Sequence, residues 1–187
     1  MSINKFKVLS LRGKVPIIHV TAYIHPTATL IGDVQIGENC FVGPNVVMRA
    51  DNGSIVMKEH SNLQDNCVVH SSEGHNVHIA SFARIGHNAV LHGCTIDSWA
   101  VIGIGSTVMD GATVCEYSIV GGSSFVKAHS TIPAKCLAIG IPAIYKKSLT
   151  EEQIASSMKV TREYVELPKT YKESGVEVEP IYVGEPA

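Results

Sequence analysis

From Ile24 onward an aliphatic residue recurs at every sixth position: Ile24, Leu30, Ile36, Val42 and Met48. Four places after most of them stands a small or slim residue, as Ala28, Val34, Cys40 and Val46 do, and a glycine often follows directly, as Gly37 and Gly43 do. The same register resumes at Met57, Leu63 and Val69, again at Ile79, Ile85 and Leu91, and then runs unbroken from Ile96 to Val126. A period of six fits neither the 3.6 of a helix nor the simple alternation of a strand. It fits a short strand plus a turn, repeated. A β-sandwich is the competing architecture, but sandwich strands are irregularly spaced, and this register is not.

Hexapeptide repeats of this kind predict an all-β fold, a parallel β-helix. Three hexapeptides close one coil of a triangular prism, and each face becomes a parallel sheet with strands roughly 4.8 Å apart. The aliphatic residue fills the axis, the small residue fits where the coil bends, and glycine is expected at the corners because it tolerates positive φ. The register breaks after Met48, where three extra residues are inserted, and after Val69, where four are; the step from Leu91 to Ile96 is one residue short. Insertions in solenoids map to loops that often carry function. The first two follow Arg49-Ala50-Asp51 and His70.

The ends read differently. Residues 1–20 predict a lead-in strand around Val15-Pro16-Ile17-Ile18 that caps the open prism; residues 21–145 are the β-helix. Over 146–173 a helix is expected, with capping boxes at Ser148…Glu151 and Thr150…Gln153, an apolar stripe of Ile154, Met158, Thr161 and Val165, and Pro168 as its end or kink. Residues 174–187 read as a flexible tail.

Composition narrows the function. The chain has 187 residues, 45% hydrophobic and 17% charged, against roughly a quarter charged in ordinary soluble domains. That excludes disorder as the main state. With 15 Lys+Arg against 17 Asp+Glu there is no basic excess, so no nucleic-acid partner is expected. No apolar run approaches the roughly 18 residues of a membrane span, and Arg12 and Lys14 interrupt any signal-peptide core, so a cytoplasmic protein is expected. The five cysteines form no Cys-x-x-Cys pair and read as reduced, buried thiols.

Nine histidines are the surplus. Register sorts them. Met48, Val69 and Leu91 fall on one face of successive coils, so Arg49, His70 and His92 form an outward column. Leu63 and Ile85 pair on a neighbouring face, which stacks Asp65 on His87 with Gln64 beside them. His70 and His92 can reach one ion; His87 joins them only if a second prism packs alongside. Catalytic zinc commonly takes three histidines and keeps a position for water, and threefold closure gives three identical sites, so the pattern suggests a trimer. His19, His25, His60 and His129 read as solvated side chains; His75 and His78 lie in the second insertion and could touch substrate. An arginine at a subunit interface needs a carboxylate, and Asp51 or Asp65 of an adjoining chain can serve Arg49. Ion pairs that merely glue a trimer are the alternative role for these residues.

Three segments carry a resemblance: Arg49-Ala50-Asp51, then Asn62-Leu63-Gln64-Asp65-Asn66-Cys67-Val68-Val69-His70, then Ile85-Gly86-His87-Asn88-Ala89-Val90-Leu91-His92-Gly93. They resemble the γ-class carbonic anhydrase-like hexapeptide proteins, above all the compact bacterial members of phenylacetate and carnitine metabolism. The resemblance implies a left-handed β-helix, an exception to right-handed crossovers. It also implies a homotrimer with zinc (or iron or cobalt) at each interface. His70, His87 and His92 match the metal ligands; Arg49, Asp51, Gln64 and Asp65 match the polar residues around the metal; Tyr164 matches a tyrosine on the C-terminal helix. The long acidic loop of the best-characterised members is replaced here by a short insertion holding Glu73, with Asn52 after the Arg-x-Asp motif. Glu73, His75 and Tyr164 remain as groups able to carry protons.

The expected function is reversible CO2 hydration to bicarbonate. Zinc lowers the pKa of bound water towards 7 and the resulting hydroxide attacks CO2. Gln64 orients that hydroxide and Arg49 favours the anionic product. The alternatives are metal-assisted hydrolysis of an acyl-CoA thioester, acyl transfer from acyl-CoA with a histidine base, and a non-catalytic trimeric scaffold.

Overall fold

The computed structural model describes residues 6–175. From residue 176 on, the expected tail lies outside the described residues, as do residues 1–5.

The repeat folds into a left-handed parallel β-helix, the triangular prism that the six-residue period predicts. Its rungs are mostly two or three residues long, and each aliphatic position lies over its counterpart one coil on. On the first face Met48, Val69, Leu91, Val108 and Val126 stack in register. The second face stacks Ile36, Met57, Ile79, Ile96, Val114 and Ile132. The third stacks Ile24, Val42, Leu63, Ile85, Ile102 and Val120. Met48, Leu63, Ile85, Leu91 and Ile102 are all fully buried on the axis. Each such side chain contributes about 1.5–3 kcal/mol by leaving water. The backbone is satisfied coil to coil, as where Gln64 N donates to Ile85 O and Gly86 N donates to Ile102 O.

The insertions have definite shapes. Thr29–Ile36 and Val47–Met57 are long strands that pass from the first face to the second without a tight turn, joining both faces into one sheet. The extra residues after Met48 therefore lie inside a strand. Those after Val69 form a small hairpin closed by the Ser72–His75 bridge.

The glycine expectation holds at only some corners. The left-handed corner position is the third residue after most of the aliphatics; glycine fills it at Gly105 and Gly111, with φ of 68° and 65°, and asparagine at Asn39, Asn45, Asn66 and Asn88, with φ between 50° and 60°. Asparagine tolerates that region because its short amide bonds locally. The glycines after the aliphatic residues serve close approach instead: a Cβ on Gly86 would lie 2.9 Å from Ile102 O, and one on Gly103 2.5 Å from Gly122 N. Phe82 and Trp99, also left-handed with φ of 61°, stack face to face at 4.2 Å.

The lead-in is part of the prism. Lys7–Leu9 and Ile17–Ile18 both pair in parallel with Thr29–Ile36. At the other end Cys136–Gly140 and Ala143–Ser148 form an antiparallel hairpin that closes the third face, just ahead of the helix start expected near Ser148 or Thr150.

The helix is Glu151–Ser174, capped by Thr150 in a full capping box with Gln153. It buries Ile154, Thr161 and Pro168, seven residues apart and so on one side, and runs back along the third face. Arg84 Nε donates to Thr161 Oγ1 at 3.2 Å, Tyr171 packs on Tyr23 and Phe41, and Lys172 Nζ donates to Val20 O at 2.7 Å. Those last contacts explain why Pro168 does not end the helix. One backbone bond is lost there, but the following turn is anchored on the prism.

Candidate metal centre

Two elements of the first face build the centre. Val68–His70 and Val90–His92 pair in parallel with His92 directly opposite His70, and Arg49 precedes them in the same column. At the end of these strands the chain turns toward the second face, so the histidines sit at a prism corner, both partly buried.

The hydrogen bonds there form one continuous line. Arg49 Nη1 donates to Asp51 Oδ2. Asp51 Oδ1 lies 2.8 Å from His70 Nε2, His70 Nδ1 lies 2.9 Å from His92 Nε2, and His92 Nδ1 lies 2.8 Å from Asp110 Oδ1. Ser72 Oγ donates to the same Asp110 oxygen at 2.8 Å. A carboxylate only accepts, so each aspartate draws a proton onto the nitrogen that faces it. His70 Nδ1 and His92 Nε2 are then left with lone pairs aimed at one another. Two lone pairs at that separation repel unless they share a proton or both turn onto a metal ion beside them.

The electrostatics agree. Burial alone would raise the Asp51 pKa, but hydrogen bonds from His70 and Arg49 outweigh it and leave the carboxyl below its ordinary value. For Asp110 burial is likewise outweighed, here by Ser72 and His92. Both are anions at neutral pH.

The other expected site residues lie elsewhere on the chain. His87 and Asp65 share the corner between the third and first faces, with His87 Nδ1 3.2 Å from Asp65 Oδ2. Gln64 adjoins them, 3% exposed, its amide nitrogen donating to Asn62 Oδ1 at 3.4 Å. It occupies a position that Gly43 and Gly86 fill on the coils above and below. Tyr164 lies close to Arg84, whose guanidinium pKa burial lowers and that tyrosine raises. Within the chain Arg49 is paired with Asp51. Among the described residues no group of three or more His, Cys, Asp or Glu side chains in one chain is placed to hold a metal ion.

Comparison with known proteins places the fold. A model of the bacterial transferase hexapeptide family (six repeats) matches residues 16–50. The carnitine operon protein CaiE of Proteus sp. (strain LE138) is 37% identical over 174 residues, 93% of this chain and 88% of that protein. The chain belongs to the CaiE family of hexapeptide-repeat proteins. CaiE of Escherichia coli K12 is 36% identical over 158 residues, 84% of this chain and 81% of its own. Among solved structures, a Bacillus cereus protein assigned as a candidate acetyltransferase aligns with a TM-score of 0.89 at 32% identity, covering 90% of this chain and 98% of that one. A hexapeptide transferase family protein from Anaplasma phagocytophilum aligns with a TM-score of 0.84 at 35% identity, covering 88% and 98%.

Sequence reasoning missed Asp110 and Ser72. Asp110 stands 18 residues after His92, but the coil between them is one residue short, so the register sets Met109 rather than Asp110 over His92. Ser72 lies on the inserted hairpin, outside the register, and nothing in the sequence distinguishes it.

Proposed function

We propose that this CaiE-family chain is a metal-dependent enzyme of the γ-class carbonic anhydrase type, assembled as a homotrimer, which hydrates CO2 reversibly to bicarbonate. The observation that carries the reading is the pair of facing nitrogens, His70 Nδ1 and His92 Nε2, each ring backed by a carboxylate.

That donor set fits zinc, iron or cobalt. Imidazole suits all three, and a ligating histidine characteristically gives its other N–H to a carboxylate. Two donors are too few for a stable site, and the third would be His87 of a neighbouring chain. Its Nδ1 is already engaged by Asp65, which leaves Nε2 free to face outward. The bound ion would supply Lewis acidity and a nucleophile at neutral pH from water.

The chain's own residues do the rest. Asp51 holds His70 in one tautomer, and Arg49, bonded to Asp51, brings positive charge that favours an anionic product. Gln64 comes with His87 from the same corner and offers an amide with one weak internal bond. Tyr164 and the half-exposed His75 are the groups that can hand a proton to solvent.

A second reading is hydrolysis or transfer of an acyl group from acyl-CoA. It is supported by a groove of about 490 Å³ beside Asp51, lined also by Arg12, Lys14, Asn52 and Glu73, which is far larger than CO2 requires. The candidate acetyltransferase from B. cereus points the same way. Isotope exchange between CO2 and water, set against thioester hydrolysis on the same anaerobically prepared protein, separates the two. Exchange lost on chelation and restored by metal supports the hydratase. Thioester cleavage without exchange overturns it, and acyl transfer that survives chelation removes the metal altogether.

A further inference from the structure

We propose that Asp110 is a positioning residue for this centre: held by Ser72, it keeps the His92 proton on Nδ1 and so turns the Nε2 lone pair toward His70.

Three independent features converge on it. Asp110 Oδ1 lies 2.8 Å from His92 Nδ1, the nitrogen farthest from His70. The same oxygen accepts from Ser72 Oγ at 2.8 Å, which fixes the carboxylate from the inserted hairpin. Gly93 leaves the space in which this happens. A Cβ there would collide with Asp110 Oδ1 and would sit 2.6 Å from His75 Cβ. The glycine after His92 is thus explained by the carboxylate beneath it.

The consequence is a site with mixed chemistry. Asp51 holds His70 from Nε2 and leaves Nδ1 as donor; Asp110 holds His92 from Nδ1 and leaves Nε2. A ring flip or tautomer change at either histidine removes a donor. Without Asp110, His92 has no acceptor for Nδ1–H among the hydrogen bonds of this corner, and the ring is free to protonate at Nε2 and bond His70 instead. The proposal rests on the metal-centre reading for its consequence, but its tautomer claim stands alone.

The test is therefore made first on metal-free protein. Long-range proton–nitrogen correlation of the histidine rings, at a pH where they are neutral, is expected to show His92 as the Nδ1–H tautomer in the wild type. Asp110→Ala shifts it toward Nε2–H, while Asp110→Asn, which keeps a carbonyl acceptor of the same size, largely retains it. Titration with cobalt(II) is then expected to show a 10–100-fold weaker affinity for Asp110→Ala, the usual loss for a group that orients a ligand, and a smaller loss for Ser72→Ala. An unchanged His92 tautomer in Asp110→Ala overturns the proposal whatever the metal does. A shifted tautomer in a protein that never binds cobalt upholds the positioning and overturns the metal reading instead. If Asp110→Ala fails to fold, Asp110→Leu, which keeps the bulk but offers no acceptor, carries the comparison; no change of the His92 tautomer there overturns the proposal.

Discussion

His70 and His92 stand opposite each other on adjacent coils, with Nδ1 of the first 2.9 Å from Nε2 of the second. Both outer nitrogens are taken by carboxylates, so the facing pair is built to receive a cation. His70→Ala and His92→Ala are therefore each expected to lose bound metal. Both rings are half-buried at a corner and off the axis, so the circular dichroism of the folded β-helix should be retained. Metal analysis of the purified variants checks this.

The carboxylates set an acid limit. Asp51 and Asp110 both titrate below their ordinary value. A group with a depressed folded pKa contributes stability that is present above its unfolded pKa, about 3.9 for aspartate, and lost as pH falls through the folded one. The wild type should lose Tm below about pH 4 more steeply than the Asp51→Asn/Asp110→Asn double variant. Thermal melts of metal-free protein between pH 6 and pH 3 give the comparison; equal acid slopes contradict it.

Glycine and asparagine should exchange poorly in one direction only. In Gly103→Ala the new Cβ meets the backbone of the next coil, at 2.5 Å from Gly122 N and 2.7 Å from Val120 O. A loss of about 1–3 kcal/mol is expected, as for other overpacked sites. Asn66→Gly, at a φ of 60°, should stay within about 1 kcal/mol of wild type because glycine accepts that conformation freely. Urea unfolding of the two variants measures the difference.

Thiol reactivity should be ranked by burial. Cys67 and Cys94 are fully buried and their thiols are pushed up to about 12, so almost no thiolate forms at pH 8. Cys115 is the half-exposed one among the five. Alkylation of the native protein, read by peptide mass mapping, should label Cys115 well ahead of the others.

The fold was legible because one physical rule repeats. Every axis position needs an aliphatic side chain at a spacing of six, and Ile85, Ile102 and Val120 state it openly. The same register stacks Arg49, His70 and His92. What it could not reveal depends on contacts off the ladder. The corner asparagines were invisible because a left-handed φ is a backbone property, and glycine was the more obvious candidate for it. Pro168 left the end of the helix open, because the sequence shows the lost backbone bond but not Tyr171 and Lys172 anchoring the next turn. Ser72 sits on an insertion, where register has no meaning, and Asp110 lies one residue beyond the position that register sets over His92. The separation of His87 from the other two histidines was legible, and it is why the proposed centre calls for a second chain.

That incompleteness gives the most direct measurement. If His87 of one chain joins His70 and His92 of another, a His87→Ala chain and a His92→Ala chain carry complementary halves. Each variant alone should bind no stoichiometric metal. Co-expressed and purified as mixed oligomers through two different tags, they should regain metal, because an interface that takes His87 from one and the histidine pair from the other is intact. Mixed oligomers that hold no more metal than either parent would contradict a centre shared between chains.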